Sequence, residues 1–210
     1  MEGQEFLNAI AAGDAATIRT GLTAEPSLAA IRNGSGATAL QWAVYTGNAS
    51  LIDLLLEFGA TVDPWTACTI GKIDAIGPDM NPNELSPDGF TPLCLAVAFG
   101  HSDIARLLLQ QGADPHLRST ALGGVAPVHA AVFGRNLAGL RIVSDAGADV
   151  NAKQEGGFTP LMGAAQNNDL DMVKFLIDRG AEPAAKSEEG KQAADLTTSD
   201  EIRIGLINGF

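Results

Sequence analysis

The sequence GFTPLCLAVAFGHSDIARLLLQQGAD occupies residues 89–114 and contains the clearest structural pattern in the chain. A Thr-Pro step can begin a helix, because threonine caps exposed backbone amides and proline has no amide donor to satisfy. Apolar residues continue to Gly100, a residue suited to ending a helix in the left-handed conformation. A second apolar helix then leads to Gly-Ala-Asp at 112–114. The stretch therefore predicts two short antiparallel helices followed by a turn.

The same pattern recurs along the chain at a nearly constant interval. The position of Thr91 is repeated at Ala126, Thr159 and Gln192, in steps of 35, 33 and 33 residues. The Gly-Ala pair that closes a unit is found at 59, 112, 147 and 180. A period of this length is typical of repeat architectures, in which neighbouring units stack because no single unit can bury its apolar face.

This pattern resembles the ankyrin repeats, whose unit reads roughly G-x-T-P-L-H-x-A-A-x-x-G-H, an apolar helix and then G-A-D-x-N. Residues 89–114 match it almost position for position, and residues 157–182 match it nearly as well. The resemblance covers nearly the whole chain. It implies an all-α solenoid of stacked antiparallel helix pairs with hairpin loops, in about six units including caps.

The spacing predicts a single ankyrin-repeat domain over residues 1–210. Its parts are an N-terminal cap at 1–36, repeats at 37–63, 64–86, 87–120, 121–153 and 154–186, and a C-terminal cap at 187–210. Because both ends resemble caps, we expect a complete domain.

The unit at 64–86 departs from the pattern. Its second helix is shortened to residues 73–76, and the Pro-rich loop 77–84 follows. Since the prolines and the length of this loop exceed what a repeat turn needs, we expect it to project from the solenoid and to be more mobile than the regular hairpins.

Composition and charge exclude several classes of function. The chain is 46% hydrophobic and 18% charged, which is typical of globular proteins. Thirteen basic and 25 acidic residues give a net charge of −12, which disfavours nucleic acid as a partner. We expect a protein partner with a basic or neutral contact face, although the charge could equally serve only solubility.

The sequence carries no export or membrane signal. The N-terminal residues MEGQE lack the basic region and apolar core of a signal peptide. The longest fully apolar run, at 93–99, has seven residues, whereas a membrane span needs about 20. We therefore expect a cytoplasmic monomer without membrane contact, with both cysteines as reduced thiols.

No motif predicts catalysis, a cofactor or a metal. The histidines fit structural positions of the repeat or its hairpins, and none has the convergent partners of a metal site: they are His101, His116 and His129. The Gly-Gly pairs before two first helices lack the Lys-Ser/Thr of a phosphate loop. Cys94 replaces the motif histidine and should be a half-buried core residue. We therefore predict that the protein is not an enzyme.

The resemblance places candidate contact residues on the concave face. In ankyrin repeats, partners dock on the hairpin tips and on the exposed face of the first helices. The matching positions are the residue before Thr-Pro and the two residues before the helix-ending glycine. Ala37 occupies a position of the first kind and Gly134 one of the second kind. The partner-binding candidates are Tyr45, Thr46, Phe90, Ala98, Phe99, Val125, Phe133, Phe158, Gln166 and Asn167.

Several candidates are aromatic at positions that the fold leaves free to vary, and such residues are suited to anchoring a partner. Alternatively, these rings cover one another between adjacent hairpins. In the fifth unit Arg135 stands in the helix-ending glycine position and Gly134 lies one place early, which predicts a locally altered turn. Asn168 fills the same position in the sixth unit and tolerates the left-handed conformation.

The function predicted from the sequence is that of a non-catalytic protein–protein interaction module. A preordered concave face loses little conformational entropy on binding a partner protein. A regulatory or inhibitory subunit of an enzyme is an alternative that differs only in the identity of the partner. An enzyme with an unrecognised site is a remote alternative. The helical spacing also predicts that Leu108 and Leu176 are buried between units.

Overall fold

A computed structural model describes all 210 residues, which form thirteen α-helices and three short 3₁₀ turns. The internal contacts group the residues into two compact units. The first, the N-terminal unit, consists of Met1–Met80 and Leu85–Asp88. The second, the C-terminal unit, consists of Asn81–Glu84 and Gly89–Phe210.

The N-terminal unit contains five α-helices, of which the first four form two pairs. The helices are α1 (Gly3–Ala12), α2 (Ala15–Ala24), α3 (Ala39–Tyr45), α4 (Leu51–Glu57) and α5 (Pro64–Ile70), with 3₁₀ turns at Pro26–Ala30 and Ile73–Ala75. Only a 3₁₀ turn follows α5, which confirms that the second helix of the 64–86 unit is shortened.

Side-chain caps fix where the first helices of this unit begin. Thr38 accepts a hydrogen bond from the amide of Gln41 at 3.1 Å before α3. Asp63 accepts one from the amide of Thr66 at 2.7 Å, and Pro64 is the first residue of α5. The Asp-Pro step therefore does here what Thr-Pro does in the regular repeats, a substitution that sequence reasoning missed.

The C-terminal unit contains eight α-helices. They are α6 (Pro92–Ala98), α7 (Ser102–Gln110), α8 (Pro127–Phe133), α9 (Leu137–Asp145), α10 (Pro160–Gln166), α11 (Leu170–Asp178), α12 (Ala193–Leu196) and α13 (Asp200–Asn208), with a 3₁₀ turn at Glu155–Gly157. Three seven-residue helices, each beginning on proline, alternate with nine-residue helices. Leu108 and Leu176 are fully buried, as the spacing predicted.

The prediction of a projecting loop at 77–84 is wrong for its second half. The Asn83 side chain donates to the Gly112 carbonyl at 3.0 Å and accepts from the Asp114 amide at 2.8 Å. Asn151 makes the same two bonds to the hairpin that follows it, both at 2.9 Å. Residues 81–84 therefore form a regular repeat hairpin, even though the Gly-Ala pair that usually precedes it is absent.

The turn after α8 keeps the geometry of its neighbours, so the expected local alteration is also wrong. Arg135 adopts the left-handed conformation with φ 50°, like Asn168 with φ 53°. Gly134 has an ordinary φ of −74°, so its role is not conformational. A Cβ at Gly134 would lie 2.7 Å from the carbonyl carbon of Ala98 and 2.9 Å from its Cα. The glycine is required because the backbone at the end of α6 approaches it closely.

Candidate partner-binding surface

In the C-terminal unit, most candidate residues lie before or at the ends of the seven-residue helices. Phe133, the last residue of α8, is 76% exposed. Gln166, at the end of α10, is also exposed. Four further candidates are half-buried: Phe90, Ala98, Phe99 and Phe158. These six residues retain surface that a partner can contact.

Val125 and Asn167 in the same unit are committed to packing. Val125 is only 9% exposed, and its carbonyl accepts a hydrogen bond from the Ser119 amide at 2.8 Å. The amide nitrogen of Asn167 donates to the Val132 carbonyl at 3.1 Å and so joins α10 to α8. Val125 is therefore held through its backbone carbonyl and Asn167 through its side chain.

The two candidates of the N-terminal unit are also engaged within the protein. The half-buried Tyr45 hydroxyl donates to the Asp88 carboxylate at 3.0 Å, and the Ser86 hydroxyl donates to the other oxygen of that carboxylate. Burial, followed by the charge of Asp88, raises the pKa of Tyr45. The Thr46 hydroxyl donates to the Trp42 carbonyl at 2.8 Å. These contacts favour a structural role for both residues.

His129 has the structural role that its motif position predicted. Its Nε2 lies 3.2 Å from the carbonyl oxygen of Phe158. Burial lowers the pKa of His129 to about 4, so the imidazole is neutral at pH 7. The contact fixes the backbone of Phe158, one of the candidate contact residues, against α8.

The cysteines are more deeply buried than expected. Cys94 is fully buried and not half-buried, and Cys68 is fully buried as well. Burial raises the pKa of the Cys68 thiol to about 12, and it also raises the pKa of the Cys94 thiol. Neither cysteine forms a disulfide bond. No group of three His, Cys, Asp or Glu side chains converges as a set of metal ligands.

Two exposed residues that flank α8 were not among the contact candidates predicted from the sequence. Leu122 is 66% exposed and lies four residues before Ala126, the residue that precedes α8. The exposed Arg135 lies two residues after the end of this helix. A comparison of the repeats could have identified Leu122, because the equivalent hairpin positions hold the charged residues Glu155 and Glu188.

The N-terminal unit has an open groove between α2 and α4. Its volume is about 390 Å³, and Arg19 pairs with Glu57 across it at 3.1 Å. None of the candidate contact residues lines this groove. No helix in the structure is long and apolar enough to pass through a lipid bilayer.

Comparison with known proteins agrees with the helix pairs and their period. The family model for ankyrin repeats (3 copies) matches residues 6–119 and again residues 74–154. The model for ankyrin repeats (many copies) matches residues 144–196. The chain belongs to the ankyrin repeat family. This match confirms that the fold is an all-α solenoid of stacked helix pairs. Members of the ankyrin repeat family are generally non-catalytic modules for protein–protein interaction.

Parts of much longer proteins are among the relatives of this chain. Leucine-rich repeat serine/threonine-protein kinase 1 of Caenorhabditis elegans is 29% identical over 140 residues, which is 60% of this chain and 6% of the kinase. Ankyrin repeat and SAM domain-containing protein 6 of Mus musculus is 34% identical over 95 residues, 45% of this chain and 9% of the relative.

A shorter relative is the human protein phosphatase 1 regulatory subunit 27. It is 34% identical over 110 residues, which is 52% of this ankyrin repeat protein and 58% of the subunit. In each of these three comparisons the matched region spans less than two thirds of the relative's length.

Proposed function

We propose that this ankyrin repeat protein is a non-catalytic interaction module whose C-terminal unit binds a partner protein. The contact surface comprises the hairpins and the ends of the first helices, with four aromatic anchors: Phe90, Phe99, Phe133 and Phe158. The observation that carries the proposal is Phe133, an aromatic side chain that is 76% exposed at the end of a regular helix. Exposed aromatic rings on a rigid frame are the residues that dominate protein–protein affinity.

The frame that presents these rings is fixed before a partner arrives. Thr91 caps α6 through the amide of Cys94 at 3.0 Å, and Thr159 caps α10 through the amide of Met162 at 3.3 Å. The carbonyl beside the Phe158 ring is held by His129. Because little backbone entropy remains to be lost, binding energy from the rings is retained as affinity.

The partner's charge follows from the composition of the chain. With a net charge of −12, the protein attracts partners whose contact face is basic, admits neutral ones and repels strongly acidic ones. A cytoplasmic, monomeric module is consistent with this proposal.

A regulatory subunit of an enzyme is the second candidate function. It is favoured by one observation, the 34% identity to a subunit of human protein phosphatase 1. Such a subunit would use the same surface, and its partner would be an enzyme whose rate changes on binding. The two candidates are therefore distinguished by assaying whatever partner is captured for a change in activity.

The experiment compares partner capture by the wild-type chain with capture by Phe99→Ala and Phe133→Ala. The immobilised proteins are exposed to lysate of the organism that encodes the chain, and captured proteins are identified by mass spectrometry. Loss of one anchor worth about 2 kcal/mol should weaken binding roughly thirtyfold. Phe210→Ala is the matched control, because this ring is 51% exposed but lies at the end of the chain.

Melting temperatures separate the two explanations for the rings. Normal melting with lost capture supports a contact role for Phe99 and Phe133. Capture that is unchanged in both variants contradicts the proposal. A collapse of thermal stability would show instead that the rings cover one another between hairpins.

A further inference from the structure

Backbone strain is concentrated in the fifth repeat. Only three non-glycine residues have positive φ: Leu122 (49°), Arg135 (50°) and Asn168 (53°). Asparagine tolerates this conformation, whereas leucine and arginine are disfavoured in it. The two disfavoured residues flank α8, one in the preceding hairpin and one in the following turn. At the position of Arg135, two other repeats use the unstrained residues Gly47 and Gly100.

The same segment also contains unusually exposed apolar side chains. The large apolar side chains that are exposed outside the first and last few residues of the chain are Leu122 and Phe133. The remaining ones lie near the two ends: Met1, Ile204, Ile207 and Phe210. Arg135 is exposed, and its guanidinium forms neither an ion pair nor a hydrogen bond.

The backbone bonds that close the turn at Arg135, from its own amide to Val132 and from the Asn136 amide to Ala131, do not require an arginine side chain there. Glycine would fit the backbone at Arg135 with less strain, and a polar residue at Leu122 would remove exposed apolar surface. Strained residues whose side chains remain largely exposed are characteristic of functional positions, because a contact with another molecule can offset the strain. The side chains that flank α8 are therefore suited to contacting another molecule.

We propose that the fifth repeat determines specificity, with Leu122 and Phe133 taking apolar side chains of the partner and Arg135 taking a carboxylate beside one of them. The partner segment thus carries Asp or Glu next to an aromatic or aliphatic residue. This inference rests on the proposed function and names the chemistry that the surface recognises. A guanidinium presents a planar fork of donors that pairs with both oxygens of a carboxylate.

The net charge of the chain limits the composition of that segment. The net charge of −12 repels uniformly acidic segments, so the carboxylate is a local feature of a segment that is otherwise neutral or basic.

The test is selection of a random twelve-residue peptide library on the wild-type protein and, in parallel, on Arg135→Gly. Peptides selected on the wild type should be enriched in Asp or Glu within two residues of an apolar residue, and this preference should disappear on Arg135→Gly. Arg135→Gly should lower the affinity for a selected peptide about tenfold or more. Replacing the acidic residue of that peptide by its amide should lower its affinity for the wild-type protein by the same factor. The acidic and amide peptides should bind Arg135→Gly equally.

Two control variants separate charge and backbone effects from recognition. Asn168→Gly changes the same turn position in the sixth repeat, although it also removes the hydrogen bonds that the Asn168 side chain accepts from Thr197, Thr198 and Ser199. Arg106→Ala removes an exposed arginine from α7. Neither change should alter the acidic preference. The melting temperature of Arg135→Gly should not fall, because glycine relieves the strained conformation.

Three results would overturn the inference. The first is equal affinity of a selected peptide for the wild type and Arg135→Gly, and the second is a clear fall in the melting temperature of Arg135→Gly. The third is a selected pool that depends on Phe133 but has no acidic preference, in which case the proposed function stands and this inference fails. A library that yields no peptide sensitive to Phe133→Ala would count against both.

Discussion

Replacing Gly134 with alanine should destabilise the C-terminal unit. A Cβ at this position would lie 2.7 Å from the carbonyl carbon of Ala98 and 2.9 Å from its Cα, whereas ordinary van der Waals contact begins at 3.4 Å. The obstructing atoms belong to the backbone at the end of α6, so no side-chain rotation can relieve the clash. The carbonyl oxygen of Ala98 would lie closer still, so the two helix ends must move apart to admit the methyl group.

The size of the effect follows from this geometry. Inserting a methyl group into a site bounded by packed backbone costs about 1–3 kcal/mol. In a chain of this length, each kcal/mol lowers the melting temperature by about 2–4 °C, so Gly134→Ala should melt roughly 2–12 °C below the wild type. The φ of −74° at Gly134 suits alanine, so none of this loss arises from backbone strain.

Thermal and chemical denaturation followed by circular dichroism measure the effect. Gly77→Ala is the matched control, because Gly77 has no positive φ and a Cβ there would meet nothing within 4 Å. This control should melt within about 2 °C of the wild type, as surface changes usually alter stability by at most about 0.5 kcal/mol. Equal midpoints for the two variants would refute the close approach of α6 and α8 at Gly134.

Three further predictions concern buried side chains. Leu108→Ala and Leu176→Ala should each cost about 2–5 kcal/mol of unfolding free energy, because both residues are fully buried; an unchanged denaturation midpoint would remove them from the core. Since burial lowers the pKa of His129 to about 4, the unfolded chain binds a proton that the folded chain does not between pH 6.5 and 4. Stability should therefore fall as the pH is lowered through this window, and denaturation midpoints should fall less steeply in His129→Gln. Tyr45 is the only tyrosine, and burial beside Asp88 raises its pKa, so tyrosinate absorbance should be absent at pH 11 in the folded protein but present in guanidinium, where titration near pH 10 is expected.

The repeat period was sufficient to predict the helix pairs of the regular units. Thr91 caps α6 and Gly100 has a left-handed φ of 85°, as their motif positions require. Such features depend on interactions within a few residues, so the local sequence specifies them. The burial of Leu108 follows equally well, because a helix with one apolar face must turn that face toward the neighbouring repeat.

The hairpin at 81–84 shows where the motif was insufficient. Asn83 holds the position of Asn151, but Asp79-Met80 stands where other units have Gly-Ala, so the pattern was not recognised. The bonds from Asn83 reach a carbonyl and an amide about 30 residues further along the chain. Contacts over that distance are set by how the repeats stack, which the local sequence does not specify.

By itself, the sequence determined that this chain is an all-α ankyrin solenoid, and it indicated which kinds of positions could contact a partner. Only the tertiary structure decided which of those positions are available. Phe133 and Ala98 share one motif position, yet Phe133 is 76% exposed and Ala98 is half-buried. Val125 shares another position with Phe90 and is buried. The reason is that the motif fixes the backbone of one repeat, whereas the exposure of a side chain depends on how closely the neighbouring repeats approach it.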